Sequence, residues 1–138
     1  MSEDQTLDLD KLVSSRIERG VATVSLILEN KKLGDEEIIR LVEMEVLAEV
    51  THLELGENQI SDKGVSVLCN SPFTKNLKVL NLKSNKITEI GAQFIAQAKN
   101  LTQLENLILK FNRIGEQGAT YLAQSETLVN LTTLDLFR

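Results

Sequence analysis

The stretch LENLILKFNRIGEQGATYLA, Leu104 to Ala123, reads Leu-x-x-Leu-x-Leu-x-x-Asn-x-Ile, then Gly-x-x-Gly-Ala-x-x-Leu-Ala. It recurs upstream at a fixed step of 27 residues. Leu53, Leu80, Leu107 and Leu134 share one register, and Leu55, Leu82, Leu109 and Leu136 a second. Asn58, Asn85 and Asn112 form a third, Ile60, Ile87 and Ile114 a fourth, and Gly64, Gly91 and Gly118 a fifth. A repeat this short cannot bury its own leucines, so successive turns must stack into a solenoid.

Within each turn the apolar period changes from two to helical. Leu53/Leu55, Leu80/Leu82 and Leu107/Leu109 alternate as short strands do. Further along, Val65/Leu68/Cys69, Ala92/Ile95/Ala96 and Ala119/Leu122/Ala123 fall on one helical stripe. The regular repeats are Val50–Asn76, Leu77–Gln103 and Leu104–Asn130. Gly34, Ser61, Thr88 and Gly115 stand at the helix starts, each followed by an acid: Asp35, Asp62, Glu89 and Glu116. Ser and Thr suit the N-cap, and an acid in the first turn meets the positive end of the helix dipole. The acids are therefore read as structural, not as metal ligands. The asparagines are expected to stack as a ladder, each amide satisfying backbone groups in the turn after a strand.

The ends are less regular. Residues 1–7 read as a frayed polar end. From Asp8 to Arg19, Leu9, Leu12, Val13 and Ile17 sit at helical spacing, with Gly20 at the expected helix terminus. Residues 1–20 are accordingly assigned to an N-terminal capping helix. Residues 21–138 form the repeat domain, about four repeats and a partial fifth. The first repeat, Val21 to Glu49, fits the leucine registers through Val21, Val24 and Leu26 if two extra residues precede Leu33. Asn30 is then displaced from the place of Asn58, and Glu37 replaces the glycine. Beyond Leu33, Ile38, Leu41 and Leu47 correspond to Val65, Leu68 and Thr74. The last eight residues repeat Leu-x-x-Leu-x-Leu with no following helix. The expectation is that the natural chain continues, or that this strand pairs with another copy.

Composition excludes several roles. Hydrophobic residues are 42% and charged residues 25%, and the net charge is -5 with dispersed lysines. Nucleic acid and anionic membrane both demand a basic surface, so neither is expected as partner. No apolar run reaches the roughly 20 residues a bilayer requires. Cys69 is the single cysteine, so no intrachain disulfide forms. The acidic N-terminus lacks a secretory signal, which points to the cytoplasm and makes the sequons at Asn100 and Asn130 chance matches.

The repeated Leu-x-x-Leu-x-Leu-x-x-Asn-x-Ile with its Gly-Ala-x-x-Leu-Ala helix resembles the ribonuclease-inhibitor-like class of leucine-rich repeats over about residues 21–138. Sensing domains of nucleotide-binding immune receptors, Ran GTPase-activating proteins and many bacterial effectors belong to that class. The resemblance implies an α/β, right-handed horseshoe segment, with parallel strands on the concave face and helices on the convex face. It implies a module that holds a protein or peptide on the concave face without catalysis of its own. The alternative is a recognition fragment of a larger sensor, effector or GTPase regulator; delivery into a host cell would follow for a bacterial effector. The supporting arginine of Ran activators has no matching motif here, so that role is not carried over.

If the strand leucines face inward, the outward residues are Thr23, Ser25 and Ile27; His52, Glu54 and Gly56; Val79, Asn81 and Lys83; Asn106, Ile108 and Lys110; Thr133, Asp135 and Phe137. Val79, Ile108 and Phe137 are the apolar members, with Phe111 joining them at the rim, and are chosen as anchors flanked by Lys83 and Lys110. The expected binding set is Glu54, Val79, Asn81, Lys83, Asn106, Ile108, Lys110, Phe111, Asp135 and Phe137. No phosphate-cradling glycine loop occurs. His52 reads as a solvated sheet residue. Cys69, in the place of Ala96 and Ala123, reads as a small buried hydrophobe. No catalytic residue, metal or cofactor is expected.

Overall fold

The computed structural model describes residues 8–137; the polar end expected at residues 1–7 lies outside them. A short helix α1 (Leu9–Ser15) leads into strand β1 (Ile17–Arg19), and β2 (Val24–Ile27) follows. Strand and helix then alternate: α2 (Asp35–Leu41), β3 (His52–Glu54), α3 (Asp62–Asn70), β4 (Val79–Asn81), α4 (Glu89–Ala96), β5 (Asn106–Ile108), α5 (Gly115–Ala123) and β6 (Thr133–Asp135). Turns of 3-10 helix at Glu45–Glu49, Pro72–Thr74 and Lys99–Leu101 return the chain from helix to strand. The strands form one six-stranded sheet in chain order, parallel from β2 to β6. This is an α/β leucine-rich-repeat solenoid.

Leu26, Leu53, Leu80 and Leu107 lie in register across the sheet and are fully buried, as are Leu28, Leu55, Leu82 and Leu109. Each such leucine is worth about 2 kcal/mol of burial, and none could be sheltered by its own turn. Ile60, Val65, Leu68, Ile87, Ala92 and Ile95 close the core from the helical side. On α5 the corresponding Ala119 is half-buried and Ala123 exposed, because α5 is the last described helix and nothing lies over its outer stripe.

Two expectations at the N-terminal end are corrected. The helix does not run to Arg19: it ends at Ser15, and Ile17–Arg19 pairs antiparallel with β2, Ile17 opposite Leu26. Strand pairing, which satisfies backbone groups along the whole edge of β2, prevails there over the helical spacing of Ile17. Leu9 and Val13 still enter the core. Nor does the first repeat hold an insertion. Leu26 pairs with Leu53 and Ser25 with His52, so the step of 27 continues unbroken and Lys31 occupies the place of Asn58. The outward residues of β2 are thus Ser25 and Ile27, with Glu29 following them, and Thr23 precedes the strand. What sets this turn apart is conformation: Lys32 is left-handed at φ +57°, in addition to Asn30 at φ +57°.

Asn30 marks a register that the sequence pattern hid. The residue before the ladder position is left-handed in every turn: Asn30, Glu57 (φ +57°), Ser84 (φ +54°) and Phe111 (φ +61°). Each donates its N–H to the next turn, from Asn30 to Gly56 O at 3.0 Å through to Phe111 to Phe137 O at 2.8 Å.

The asparagine ladder is built as its register requires. Asn58 Oδ1 accepts from the N–H groups of Lys31 and Leu33, both at 3.0 Å. Its Nδ2 donates to Leu28, Leu55 and Gly56 carbonyls at 2.9–3.1 Å. Asn112 repeats this with Asn85, Ile87, Leu82 and Leu109. Asn85 accepts from Ile60 N and donates to Leu55, Leu82 and Lys83 carbonyls, but is only partly buried.

The acids at the helix starts act on the neighbouring turn, not only on their own helix. Asp35 Oδ1 accepts from Ser61 N at 2.8 Å and Gly64 N at 3.1 Å, while the Ser61 hydroxyl donates to Oδ2. Asp62 meets Thr88 N at 2.8 Å, the Thr88 hydroxyl at 2.5 Å and Gly91 N at 3.0 Å. Each aspartate therefore binds the free amides at the start of the next helix. Glutamates occupy the two later positions, and Gly115, left-handed at φ +67°, replaces the hydroxyl that would face Glu89.

Candidate protein-binding face

The outward sheet residues form rows set by the strand register. Ser25, His52, Val79, Asn106 and Thr133 make one row, and Ile27, Glu54, Asn81, Ile108 and Asp135 the next. A third, just past the strand ends, holds Glu29, Gly56, Lys83, Lys110 and Phe137. Side chains in the first two rows are half-buried except Thr133, which is exposed. With six strands at about 4.8 Å spacing, the sheet is roughly 24 Å across.

Local pairing divides the expected set. Asn81 Nδ2 donates to Glu54 Oε1 at 2.9 Å, so these two hold one another. Lys83 is not a free flanking cation. Its stem lies across Gly56, where a Cβ would stand 2.9 Å from Lys83 Cγ, and Nζ reaches Glu29 at 3.3 Å and Glu57 at 4.0 Å. The glycine makes room for the lysine to cross to the first turn.

At the C-terminal end the expected residues come together. The Phe111 and Phe137 rings meet edge-to-face, centroids 5.8 Å apart at 77°, and Lys110 Nζ lies 5.8 Å from the Phe111 centroid. Phe111 is 50% and Phe137 68% exposed. Such a pair contributes about 0.5–1.5 kcal/mol beyond area burial. Phe111 adopts a left-handed backbone that costs a bulky side chain about 1–2 kcal/mol, where the other turns place Asn, Glu or Ser. Val79 and Ile108 sit on adjacent strands, with Asp135 beside Ile108.

Sequence reasoning passed over the row one step beyond the ladder. Lys32, Gln59, Lys86 and Arg113 share the 27-residue register and are all exposed. Lys86 N donates to Ile60 O and Arg113 N to Ile87 O, both at 2.8 Å, so the backbone of this rim is tied turn to turn. Counting cations by register, not by run length, would have found it.

His52 Nδ1 lies 2.9 Å from the Thr51 hydroxyl on the sheet side, and Cys69 lies on α3. Burial pushes the Cys69 thiol up to about 12. In the native chain at pH 8 it stays protonated, and its reaction with an aromatic disulfide reagent should wait on unfolding. By linkage, its contribution is complete below the unfolded thiol pKa of about 8.5 and fades as pH rises toward the folded value. Rapid stoichiometric labelling of the native protein at pH 8, followed by absorbance, would contradict this burial.

Among the described residues no group of three His, Cys, Asp or Glu side chains is placed to hold a metal ion. No described helix is long and apolar enough to cross a membrane. Asn100 Nδ2 donates to Ser71 O at 2.8 Å and Asn130 Nδ2 to Thr102 O at 2.7 Å, so both sequon amides have structural partners.

A family model described as Leucine Rich repeat matches residues 50–69 and 75–96. No curated protein matches the chain. Among solved structures, an internalin of Listeria monocytogenes is similar at 25% identity and a TM-score of 0.40, covering 70% of this chain and 31% of that one. The chain thus spans about a third of the internalin's length. Leucine-rich repeat domains generally mediate protein–protein interaction. The matched segments, their recurrence at the same step, and the parallel sheet those turns build show a leucine-rich-repeat fold.

Proposed function

We propose that this chain is a non-catalytic recognition module that holds a protein or peptide partner on the concave sheet face. The partner's contacts would centre on Val79, Ile108, Phe111 and Phe137, with Glu54, Asn81, Asn106, Lys110 and Asp135 around them. The observation that carries the reading is the exposed Phe111–Phe137 pair beside Ile108, built on a backbone conformation unfavourable to phenylalanine. Strained exposed aromatics are what a binding surface retains and a purely structural turn does not. Lys83, held by Glu29 and Glu57, serves the stack in this reading and contributes to recognition only through its exposed edge.

The outer helices and the 27-residue step support a ribonuclease-inhibitor-like subtype. Residues 1–20 act as the N-terminal cap, α1 and β1 together covering the first turn, and residues 21–138 as the repeat domain. Cytoplasmic residence suits a chain with a single buried, reduced cysteine. Short strands on a sheet roughly 24 Å across give a flat area of roughly a few hundred Å², small beside the roughly 800 Å² a standard partner buries, which favours a short segment or one part of a longer surface.

The test is affinity capture from source lysate with wild type beside Ile108→Asp. Ile108 is half-buried on the sheet surface, so the variant should retain the wild-type circular dichroism while partner recovery falls about tenfold or more. Undiminished recovery with Ile108→Asp would remove the concave face from the account.

A further inference from the structure

We propose that the rim beside Phe111 is a docking groove for an acidic peptide segment, with Lys86 and Arg113 pairing its carboxylates and Phe111 receiving an adjacent apolar side chain. The inference rests on the reading of the chain as a recognition module and names the chemistry of its partner. A groove of about 560 Å³ lies here, lined by Asn85, Lys86, Thr88, Phe111, Asn112 and Arg113. Its floor is rigid. Asn85 and Asn112 are committed to the ladder, and Thr88 is held by Asp62.

Charge decides the occupant. The chain carries a net charge of -5, yet this groove contains two cations and no acid. Neither Lys86 nor Arg113 has a carboxylate within 4.0 Å among the described residues, whereas Lys83, one row away, has two. Both cations are exposed, and they occupy the same register on adjacent turns. Their backbones are thus spaced by about one strand interval, 4.8 Å. A peptide running along the rim, with acids two residues apart, matches that spacing to within the reach of the side chains. Lys110, beside the Phe111 ring, adds to the local positive field without entering the groove. Arg113 offers a planar fork suited to a carboxylate. An oligonucleotide is disfavoured, because the basic row is short and interrupted by Gln59.

The test uses fluorescence anisotropy with two labelled ten-residue probes, one alternating Glu and Leu and one alternating Lys and Leu. The full chain should bind the Glu-Leu probe, and the Lys-Leu probe more weakly by about tenfold. Binding should fall as salt is raised from low to physiological strength. Lys86→Glu with Arg113→Glu should abolish binding of the Glu-Leu probe, and Phe111→Asn, which suits the left-handed backbone, should weaken it with the fold retained by circular dichroism. Lys75→Glu, at an exposed cation on the return turn before β4, should leave it intact. No binding of the Glu-Leu probe, or binding that survives Lys86→Glu with Arg113→Glu, overturns the rim site. Equal loss of Glu-Leu binding in Lys75→Glu also overturns it, while leaving the concave-face reading standing. Lysate capture sensitive to Ile108→Asp but not to the rim variants separates failure of this inference from failure of the broader one.

Discussion

Replacing Asn58 by leucine should lower the stability by about 3 kcal/mol, more than the same change at Asn85. The Asn58 amide engages backbone groups of Lys31, Leu33, Leu28, Leu55 and Gly56 at 2.9–3.1 Å, and the residue is 8% exposed. Gly56 O also accepts from Asn30 N and Leu55 O from Asn85 Nδ2, but Lys31 N, Leu33 N and Leu28 O rely on this amide, and water reaches the site poorly. Each stranded buried group costs about 1–3 kcal/mol, partly offset by the apolar gain from leucine. Asn85 makes a similar set of bonds, but its partial exposure lets water replace some of them. The order Asn58 above Asn85 should show as a larger fall in urea midpoint with an unchanged slope. Equal losses, or a loss under about 0.5 kcal/mol at Asn58, would mean the ladder contributes little.

Gly91→Ala should destabilise the chain although alanine is the better helix former by about 1 kcal/mol. The added Cβ would stand 2.5 Å from Asp62 Oδ1 and 2.6 Å from Ile87 Cγ2. Asp62 cannot retreat without loosening its bonds to Thr88 and Gly91. Overpacking of this kind costs about 1–3 kcal/mol, and the bonds at stake are charge-assisted. A net loss of about 2 kcal/mol is expected. In an Asp62→Ala background the same substitution should cost less, because one of the two obstructing atoms has gone, and a double-mutant cycle reads that coupling. Gly64 faces Asp35 and Ile60 in the same way. The glycine register thus records a close approach between turns. Net stabilisation by Gly91→Ala, or strict additivity with Asp62→Ala, would refute it.

Both results concern contacts between turns, and this is where sequence and tertiary structure divide the account. Leu53, Leu80 and Leu107 announce their strands, and Val65, Leu68 and Cys69 their helix, because apolar periodicity is set by the geometry of a single element. The Phe111–Phe137 contact was partly legible, since both positions were singled out; their edge-to-face meeting was not. Local spacing misled at Ile17, whose helical register was overruled by the open edge of β2. It misled again before Leu33, where Asn30 was read as a displaced ladder residue although Lys31 holds that place and the step is unbroken.

The sequence by itself determined the repeat, its step, the stacked core and the asparagine ladder, all consequences of short-range pattern. Only the tertiary structure decided that Asp35 and Asp62 bind the next helix, that Lys83 crosses Gly56 to Glu29, and that Lys86 and Arg113 line one groove beside Phe111. These are side-chain choices between residues one or two turns of the solenoid apart. A chain read residue by residue fixes which turns adjoin, but the reach and direction of each polar side chain across that boundary depend on packing density and on which rival donors lie closer.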